Sequence, residues 1–229
     1  MIQALIFDLD DTLYPERDFV LSGYRAVAHH VADRYGFSFD EAFSTMMEAL
    51  DTLGRQRVFP SLLMRLPDAS VPLAELVEVY RQHRPAIRLF PGYPALLKDL
   101  SSQYRLGIIT DGLPSVQERK VQALGLEDMV EKIIYSWEYG SEREKPHPLS
   151  FSLMLESLQT DPKSALVVGD NPEKDGRGAH GVGMPYAQVW HPASNACQTD
   201  EVGPNAAEFV MDSLFQLPHI LRQLGQGGN

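Results

Sequence analysis

The sequence predicts an α/β fold: a Rossmann-like three-layer α/β/α core around a parallel sheet, with an inserted α-helical cap domain. Three observations support this prediction. Short runs rich in Ile, Leu, Val and Phe recur along the chain at strand length. Amphipathic helical patterns separate most of these runs, as in parallel sheets covered on both faces. The stretch 15–88 interrupts the alternation and carries helical patterns alone.

The strand runs are short, apolar and rich in branched residues. They lie at 2–7, 105–109, 132–135, 165–169 and 186–190, with a weaker sixth run at 208–210. Helices are predicted between them at 94–101, 114–124 and 148–158. A proline stands at the start of each of these helices, and Gly125 follows the second one. Proline and glycine are typical start and stop signals of helices at these positions.

The inserted stretch contains four predicted helices. Asp18 and Asp40 are the expected N-caps of the first two, which should end before Gly36 and Gly54. Ser61 is expected to start a short third helix, and the fourth should begin at residue 72. Met and aromatic residues at helical spacing predict a core of their own. We therefore expect an α/β core of residues 1–14 and 89–229 and a helical insert of residues 15–88.

Composition excludes several classes of protein. The 229 residues are 44% hydrophobic and 22% charged, which is ordinary for a folded globular chain. A net charge of −11 argues against a nucleic-acid polymer as partner. The single cysteine, Cys197, can form neither an intramolecular disulfide nor a Cys-based zinc site. The first residues lack a basic signal region, and no run approaches the ~20 apolar residues of a membrane span, so a cytoplasmic protein is expected.

Acidic side chains follow two of the predicted strands. Asp8, Asp10 and Asp11 follow the first run, and Asp170 and Asp175 follow the run 165–169. Ligands of open parallel sheets bind at the carboxyl ends of the strands, so these carboxylates should converge. Alternation along a strand places Asp8 and Asp10 on the same side. An oxygen-rich anionic site suits Mg²⁺, and the bound cation would make the site attract phosphate.

Other residues at the same sheet edge suit an oxyanion. Thr110, Asp111 and Gly112 end the second run and supply a hydroxyl and a permissive backbone whose N–H groups can face phosphoryl oxygens. Lys145 precedes the helix that leads to the fourth run and adds a positive charge. This combination predicts a phosphate-binding site beside the carboxylates.

These residues resemble the four motifs of the haloacid dehalogenase-like (HAD) hydrolase superfamily. FDLDDTLYP resembles the first motif, Asp-x-Asp-x-Thr; IITDG resembles the second, Lys145-Pro146 the third and VGDNPEKD the fourth. Their order and spacing agree over nearly the whole chain. The helical insert after the first motif resembles the C1 cap of the family, which implies a cap that sets substrate specificity. The presence of Asp10 and the absence of a cap lysine favour the phosphatase branch.

The resemblance implies a role for each residue. Asp8 would be the nucleophile that forms an aspartyl-phosphate. Asp10 would protonate the leaving alcohol and then deprotonate the water that cleaves the intermediate. The implied phosphate-binding residues are Thr110, Asp111, Gly112 and Lys145. The implied Mg²⁺ ligands are Asp8, Asp170 and the backbone carbonyl of Asp10, with Asp175 supporting them from the second shell.

Particular residues argue against several alternative functions. Dehalogenases of the family usually lack an acid at the position of Asp10, and phosphonatases need a cap lysine that residues 15–88 do not contain. The G-x-G-x-x-G spelling at 176–181 does not follow its strand immediately, which argues against a dinucleotide site, and no P-loop is present. A phosphomutase with the same motifs stays open, as does a non-catalytic binding member of the fold, although the complete catalytic set argues against the latter.

The sequence therefore predicts a Mg²⁺-dependent phosphatase that acts on a small phosphorylated metabolite, as a monomer or homodimer, without a membrane partner. The cap contributes a further hypothesis. Its permanent cations are all arginines, whose forked heads suit carboxylate or phosphate. We expect that a second polar or anionic group of the substrate is gripped by one or more of Arg55, Arg57 and Arg65.

Overall fold

The computed structural model describes residues 1–66, 70–191 and 206–226. Within these ranges, six parallel strands form one sheet in the order β3-β2-β1-β4-β5-β6. The strands are β1 (Ala4–Phe7), β2 (Arg105–Thr110), β3 (Lys132–Tyr135), β4 (Ala165–Gly169), β5 (Tyr186–Val189) and β6 (Phe209–Met211). All six predicted runs are strands, with ends shifted by at most two residues.

Helices connect the strands and confirm the α/β prediction. In chain order they are α1 (Glu16–Tyr35), α2 (Phe39–Leu53), α3 (Val58–Leu63), α4 (Leu73–Gln82), α5 (Tyr93–Ser101), α6 (Pro114–Leu124), α7 (Pro148–Ser157), α8 (Arg177–Gly181) and α9 (Leu217–Gln226). None of the helices in the described ranges is long and apolar enough to cross a membrane.

Strand β1 lies inside the sheet, between β2 and β4. Ala4 is in register with Arg105 of β2 and with Ala165 of β4. The chain thus builds β2 and β3 on one side of β1 and then crosses to build β4 to β6 on the other. Such a reversal of direction opens a crevice at the carboxyl ends of the strands, where ligands of this architecture bind.

The chain divides into two compact units, one of residues 1–17 and 87–229 and one of residues 18–86. In the first unit, α7 packs on the sheet through apolar side chains such as Phe151 and Met154, which lie with Ile6 and Val167 in one buried cluster. Burying a side chain of this size contributes ~1.5–3 kcal/mol. This packing fixes the strand ends that carry the candidate site.

The second unit is helical and has its own apolar cluster, which includes Val27, Met46, Leu62 and Leu76. Polar contacts add to it: the Glu75 carboxylate accepts from the Tyr35 hydroxyl at 2.7 Å and lies 2.6 Å from the His30 ring. The unit therefore has a core independent of the sheet.

Three predicted helix starts in the insert were wrong. Helix α1 begins at Glu16 rather than after Asp18, and α3 begins at Val58 rather than at Ser61. Helix α2 is capped by Ser38, whose extended backbone lets its hydroxyl accept from the Glu41 N–H, and not by Asp40. Asp40 lies instead in the first turn, where a negative charge favours the helix dipole.

Candidate active site

The first strand delivers three carboxylates to a cavity of about 370 Å³ at the carboxyl edge of the sheet. The Asp8 N–H donates to the Val168 carbonyl at 2.9 Å, which extends the pairing of β1 with β4 by one residue. The chain then turns at Asp11, whose φ of 57° lies in the left-handed region and whose carboxylate accepts from the Glu16 N–H. The lining residues that sequence analysis singled out are Asp8, Asp10, Asp11, Asp111, Gly112, Lys145, Asp170 and Asp175.

Lys145 lies at the centre of the site and is only 3% exposed. Its Nζ is 2.5 Å from Asp8 Oδ1 and 2.7 Å from Asp175 Oδ1, and it also donates to the Ile109 carbonyl at 3.3 Å. Burial alone would lower the pKa of Lys145, but the Asp175 and Asp8 carboxylates outweigh it and raise that pKa well above its usual range. Lys145 therefore carries a positive charge that could meet a phosphoryl oxygen.

Three carboxylates form a tight group around this lysine. Asp8, Asp170 and Asp175 each offer an oxygen within 4.8 Å of the others. Burial, opposed by Lys145 and aided by Asp175, raises the pKa of Asp8 to about 7; burial and repulsion from Asp8 and Asp175 raise the pKa of Asp170 to about 9. One lysine thus leaves negative charge unbalanced. An all-oxygen set with excess negative charge fits a hard divalent cation such as Mg²⁺.

Asp175 is held in place from two sides. One of its oxygens accepts from Lys145, and the other accepts from the Asn171 N–H at 3.2 Å. Gly169 makes room for this carboxylate, because a Cβ at that position would collide with it. Both Asp175 oxygens therefore have partners in the protein, and the supporting role implied for Asp175 stays a prediction.

The end of β2 carries the expected phosphate-binding groups. Thr110 is 1% exposed, and its hydroxyl has no hydrogen-bond partner among the described residues. An unpaired buried hydroxyl is costly unless a ligand satisfies it. Gly112 has a φ of 116°, and a Cβ there would lie 2.8 Å from the Gln117 amide nitrogen, so the turn requires glycine.

The Asp111 side chain organises the surrounding loops. Its carboxylate accepts from the Ser136 hydroxyl at 2.7 Å, from the Lys145 backbone N–H at 3.0 Å and from Lys174 at 3.2 Å. Burial would raise the pKa of Asp111, but Lys145 and Ser136 outweigh it and lower that pKa. A carboxylate committed to three donors leaves the backbone of Asp111 as the part available for phosphate.

Asp10 is paired with a residue that sequence analysis missed. Lys120 of α6 lies 2.7 and 2.8 Å from the two Asp10 carboxylate oxygens, and the Tyr14 hydroxyl also donates to Asp10. Burial, and then the charge of Asp10, raises the pKa of Tyr14 well above its usual range, so Tyr14 remains a donor. The signal was available: Lys120 shares the buried face of α6 with Val121 and Leu124, where a lysine is unexpected.

Several other sequence features have structural roles. His147 caps α7 by accepting from the Leu149 N–H. Within the G-x-G-x-x-G spelling, Gly178 packs so closely on Phe151 that a Cβ would collide with the ring, so this segment serves packing. The three arginines proposed to contact the substrate, Arg55, Arg57 and Arg65, are exposed. Cys197 lies outside the described residues.

Comparison with known proteins identifies the family. A family model described as haloacid dehalogenase-like hydrolase matches residues 5–189. The chain is 35% identical to a glyceraldehyde 3-phosphate phosphatase of Pyrococcus abyssi, over 83% of this chain and 81% of the relative. It is 30% identical to a ribulose-1,5-bisphosphate 5-phosphatase of Halopiger xanaduensis, over 99% of this chain and 98% of the relative.

A solved structure agrees with these relatives. The crystal structure of a HAD phosphatase from Thermococcus onnurineus has a TM-score of 0.62 and 26% identity, and the match covers 96% of this chain and 98% of that one. The match to the family model, residues 5–189, includes every carboxylate and lysine of the cavity described above. The chain therefore belongs to the haloacid dehalogenase-like hydrolase family, in its branch of phosphoric monoester hydrolases.

Proposed function

We propose that this protein is a Mg²⁺-dependent phosphatase that hydrolyses the phosphate monoester of a small metabolite through an aspartyl-phosphate on Asp8. The observation that carries the proposal is the grouping of Asp8 with Asp170, Asp175 and Lys145, with the carboxylate of Asp10 in the same cavity. Phosphoryl transfer requires an in-line nucleophile and neutralisation of spread negative charge; Asp8 would supply the first, and Lys145 together with a bound Mg²⁺ would supply the second.

In the first step, an Asp8 carboxylate oxygen attacks phosphorus. The bond between phosphorus and the ester oxygen breaks, and the electron pair leaves with that oxygen, to which Asp10 donates a proton. Lys145, the Thr110 hydroxyl and the backbone N–H groups of Asp111 and Gly112 hold the transferring oxygens. The covalent intermediate on the carboxylate replaces one difficult displacement with two easier ones.

In the second step, Asp10 takes a proton from water as the water oxygen attacks phosphorus. The bond between phosphorus and Asp8 breaks, its electron pair returns to the carboxylate, and inorganic phosphate leaves. Asp10 then carries the proton that the next leaving group needs. A carboxyl that acts first as acid and then as base contributes ~10²–10⁴-fold to the rate.

Mg²⁺ would be held by Asp8, Asp170 and the backbone carbonyl of Asp10. The fit rests on the donor set, since the three clustered carboxylates exceed the charge of the single lysine among them. When bound, the ion would neutralise phosphoryl charge and allow Asp8 to remain ionised beside its anionic neighbours. Asp175 would support the site through Lys145 and the Asn171 backbone.

The cap, residues 15–88, would select the substrate, and the core, residues 1–14 and 89–229, would carry the chemistry. The names of the relatives support a choice of first substrate: several are called glyceraldehyde 3-phosphate phosphatase, which makes this triose phosphate the first compound to test. We further place the protein in the cytoplasm, as a monomer or homodimer, with no nucleic-acid or membrane partner.

The test is a screen for phosphate release from a panel of phosphate monoesters, in Mg²⁺ and in EDTA. The panel contains glyceraldehyde 3-phosphate, ribulose 1,5-bisphosphate, phosphoserine and pyrimidine 5′-nucleotides, which are the kinds of compound that the relatives are named for. Mg²⁺-dependent release of inorganic phosphate supports the proposal. Formation of a phosphorylated isomer without phosphate release would favour a phosphomutase, and absence of turnover on any monoester would favour a binding protein.

A further inference from the structure

The Asp10 carboxylate is paired with a second buried cation of the cavity. Lys120 is 3% exposed, and its Nζ contacts both carboxylate oxygens of Asp10, at 2.7 and 2.8 Å. The Asp10 side chain itself is 25% exposed and lines the cavity. One edge of this carboxylate is therefore fixed by protein, while part of its surface remains open to a ligand.

Two neighbours reinforce the same orientation. The Tyr14 hydroxyl, which is fully buried, donates to Asp10 Oδ1. Gln117, one helical turn before Lys120, lies 3.5 Å from Asp10 Oδ2 and donates to the Asp111 carbonyl at 2.5 Å. Side chains three apart on a helix share a face, so α6 presents Gln117 and Lys120 together to the ends of β1 and β2.

This arrangement separates Asp10 from the other carboxylates. Among the described residues, the group of oxygens within 4.8 Å comprises Asp8, Asp170 and Asp175 and does not include Asp10. Without the contact to Lys120, the Asp10 carboxylate would be free to rotate toward the cation site, where it could not transfer a proton to the leaving group. A buried lysine is a poor device for stability alone, because desolvation offsets much of the attraction.

We propose that Lys120 is a positioning residue that, together with Tyr14, holds the Asp10 carboxylate toward the leaving-group oxygen and away from the Asp8, Asp170 and Asp175 group. The inference rests on the proposed function, in which Asp10 transfers the proton. Lys120 acts through Asp10 and does not touch the phosphoryl group. Its influence should therefore appear only in steps that need Asp10.

The test compares leaving groups in Lys120→Met, with Arg119→Met as the control, because Arg119 is an exposed cation on the same helix. The first-turnover rate of phospho-enzyme formation is measured by rapid quench. With an alkyl phosphate, whose leaving oxygen needs a proton, Lys120→Met should be slower by ~10²-fold, the loss typical of a misplaced catalytic group. With para-nitrophenyl phosphate, whose leaving group needs little protonation, the first-turnover rate of Lys120→Met should change by less than ~3-fold.

A double-mutant cycle with Asp10→Asn provides the second readout. If Lys120 acts through Asp10, then Lys120→Met should add no further loss in the Asp10→Asn background. This double variant also removes the carboxylate that Lys120→Met would leave unpaired, so it should fold even if the single variant does not. Lys120→Arg keeps the charge and should retain most of the alkyl phosphate rate.

The outcomes separate this inference from the proposed function. Equal losses on both leaving groups, or a further loss in the Asp10→Asn background, would overturn the positioning role of Lys120 while leaving the nucleophile intact. Full turnover by Asp8→Asn would instead overturn the proposed function itself. The Arg119→Met control should match the unmodified protein on both substrates.

Discussion

Replacing Lys145 with Met tests how the carboxylate group is held together. The Lys145 side chain is 3% exposed, and its two ion-pair partners, Asp8 and Asp175, are 9% and 2% exposed. Met keeps much of the chain length but removes the charge, which leaves three carboxylates within 4.8 Å of one another without a cation. The substitution therefore isolates the electrostatic contribution from the packing contribution.

The expected magnitude follows from burial. Removing one partner of a buried ion pair costs ~3–5 kcal/mol, because the remaining charge stays desolvated. We expect Lys145→Met to lower the free energy of unfolding by ~3–5 kcal/mol at pH 7 in EDTA. The loss should shrink near pH 5, because the Asp8 carboxyl, whose pKa lies at about 7, is then fully protonated, whereas Asp170, with a pKa of about 9, already holds its proton at pH 7.

The assay is urea unfolding followed by circular dichroism, at pH 5 and pH 7, in EDTA and in Mg²⁺. Lys98→Met is the matched control, since Lys98 is an exposed lysine on α5. Mg²⁺ should recover part of the loss by replacing the missing positive charge. A loss no larger than the ~0.5 kcal/mol of an ordinary surface substitution, or a loss that is the same at both pH values, would refute the electrostatic account of the site.

Three further predictions concern the metal, the acid and base, and the cap. In EDTA, the free energy of unfolding should fall as pH rises from 3.8 toward 9, because the folded chain keeps protons on Asp8 and Asp170 that the unfolded chain has released; urea unfolding with added Mg²⁺ should remove this decline. Asp10→Asn should slow both chemical steps by ~10²–10⁴-fold in rapid-quench kinetics, and an unchanged second step would contradict its role as base. A specificity arginine replaced by Ala should lose ~10-fold or more in kcat/KM on the natural substrate but not on para-nitrophenyl phosphate, since a charge-assisted contact contributes ~1.5–3 kcal/mol. That last comparison is made separately for Arg55, Arg57 and Arg65.

Much of the fold could be predicted because parallel strands buried on both faces appear in the sequence as short, uninterrupted apolar runs. The runs at 132–135 and 165–169 coincide with β3 and β4, since uninterrupted apolar residues at strand length fit a sheet covered on both faces. Helix starts were less certain. Ser38 and Asp40 are both good capping residues two positions apart, and only the extended backbone at Ser38 decides between them.

The candidate site, like the fold, could be predicted only in part. Strand ends place Asp8, Thr110 and Asp170 at one edge, and this convergence follows from topology alone. The partners of these residues do not follow from it, because they depend on which helical faces and loops cross the edge. Lys120 and Ser136 were missed for that reason, although a lysine on the apolar face of α6 was a detectable signal.

The central claim is that Asp8 is the nucleophile, and peptide mapping of acid-quenched enzyme tests it most directly. The protein is mixed with Mg²⁺ and para-nitrophenyl phosphate, quenched within the first turnover, digested and examined by mass spectrometry. If Asp8 is the nucleophile, a phosphoryl group will be found on the peptide that contains Asp8, located to that residue, and will be absent in Asp8→Asn. Phosphorylation of a different residue, or catalytic turnover by Asp8→Asn, would contradict it.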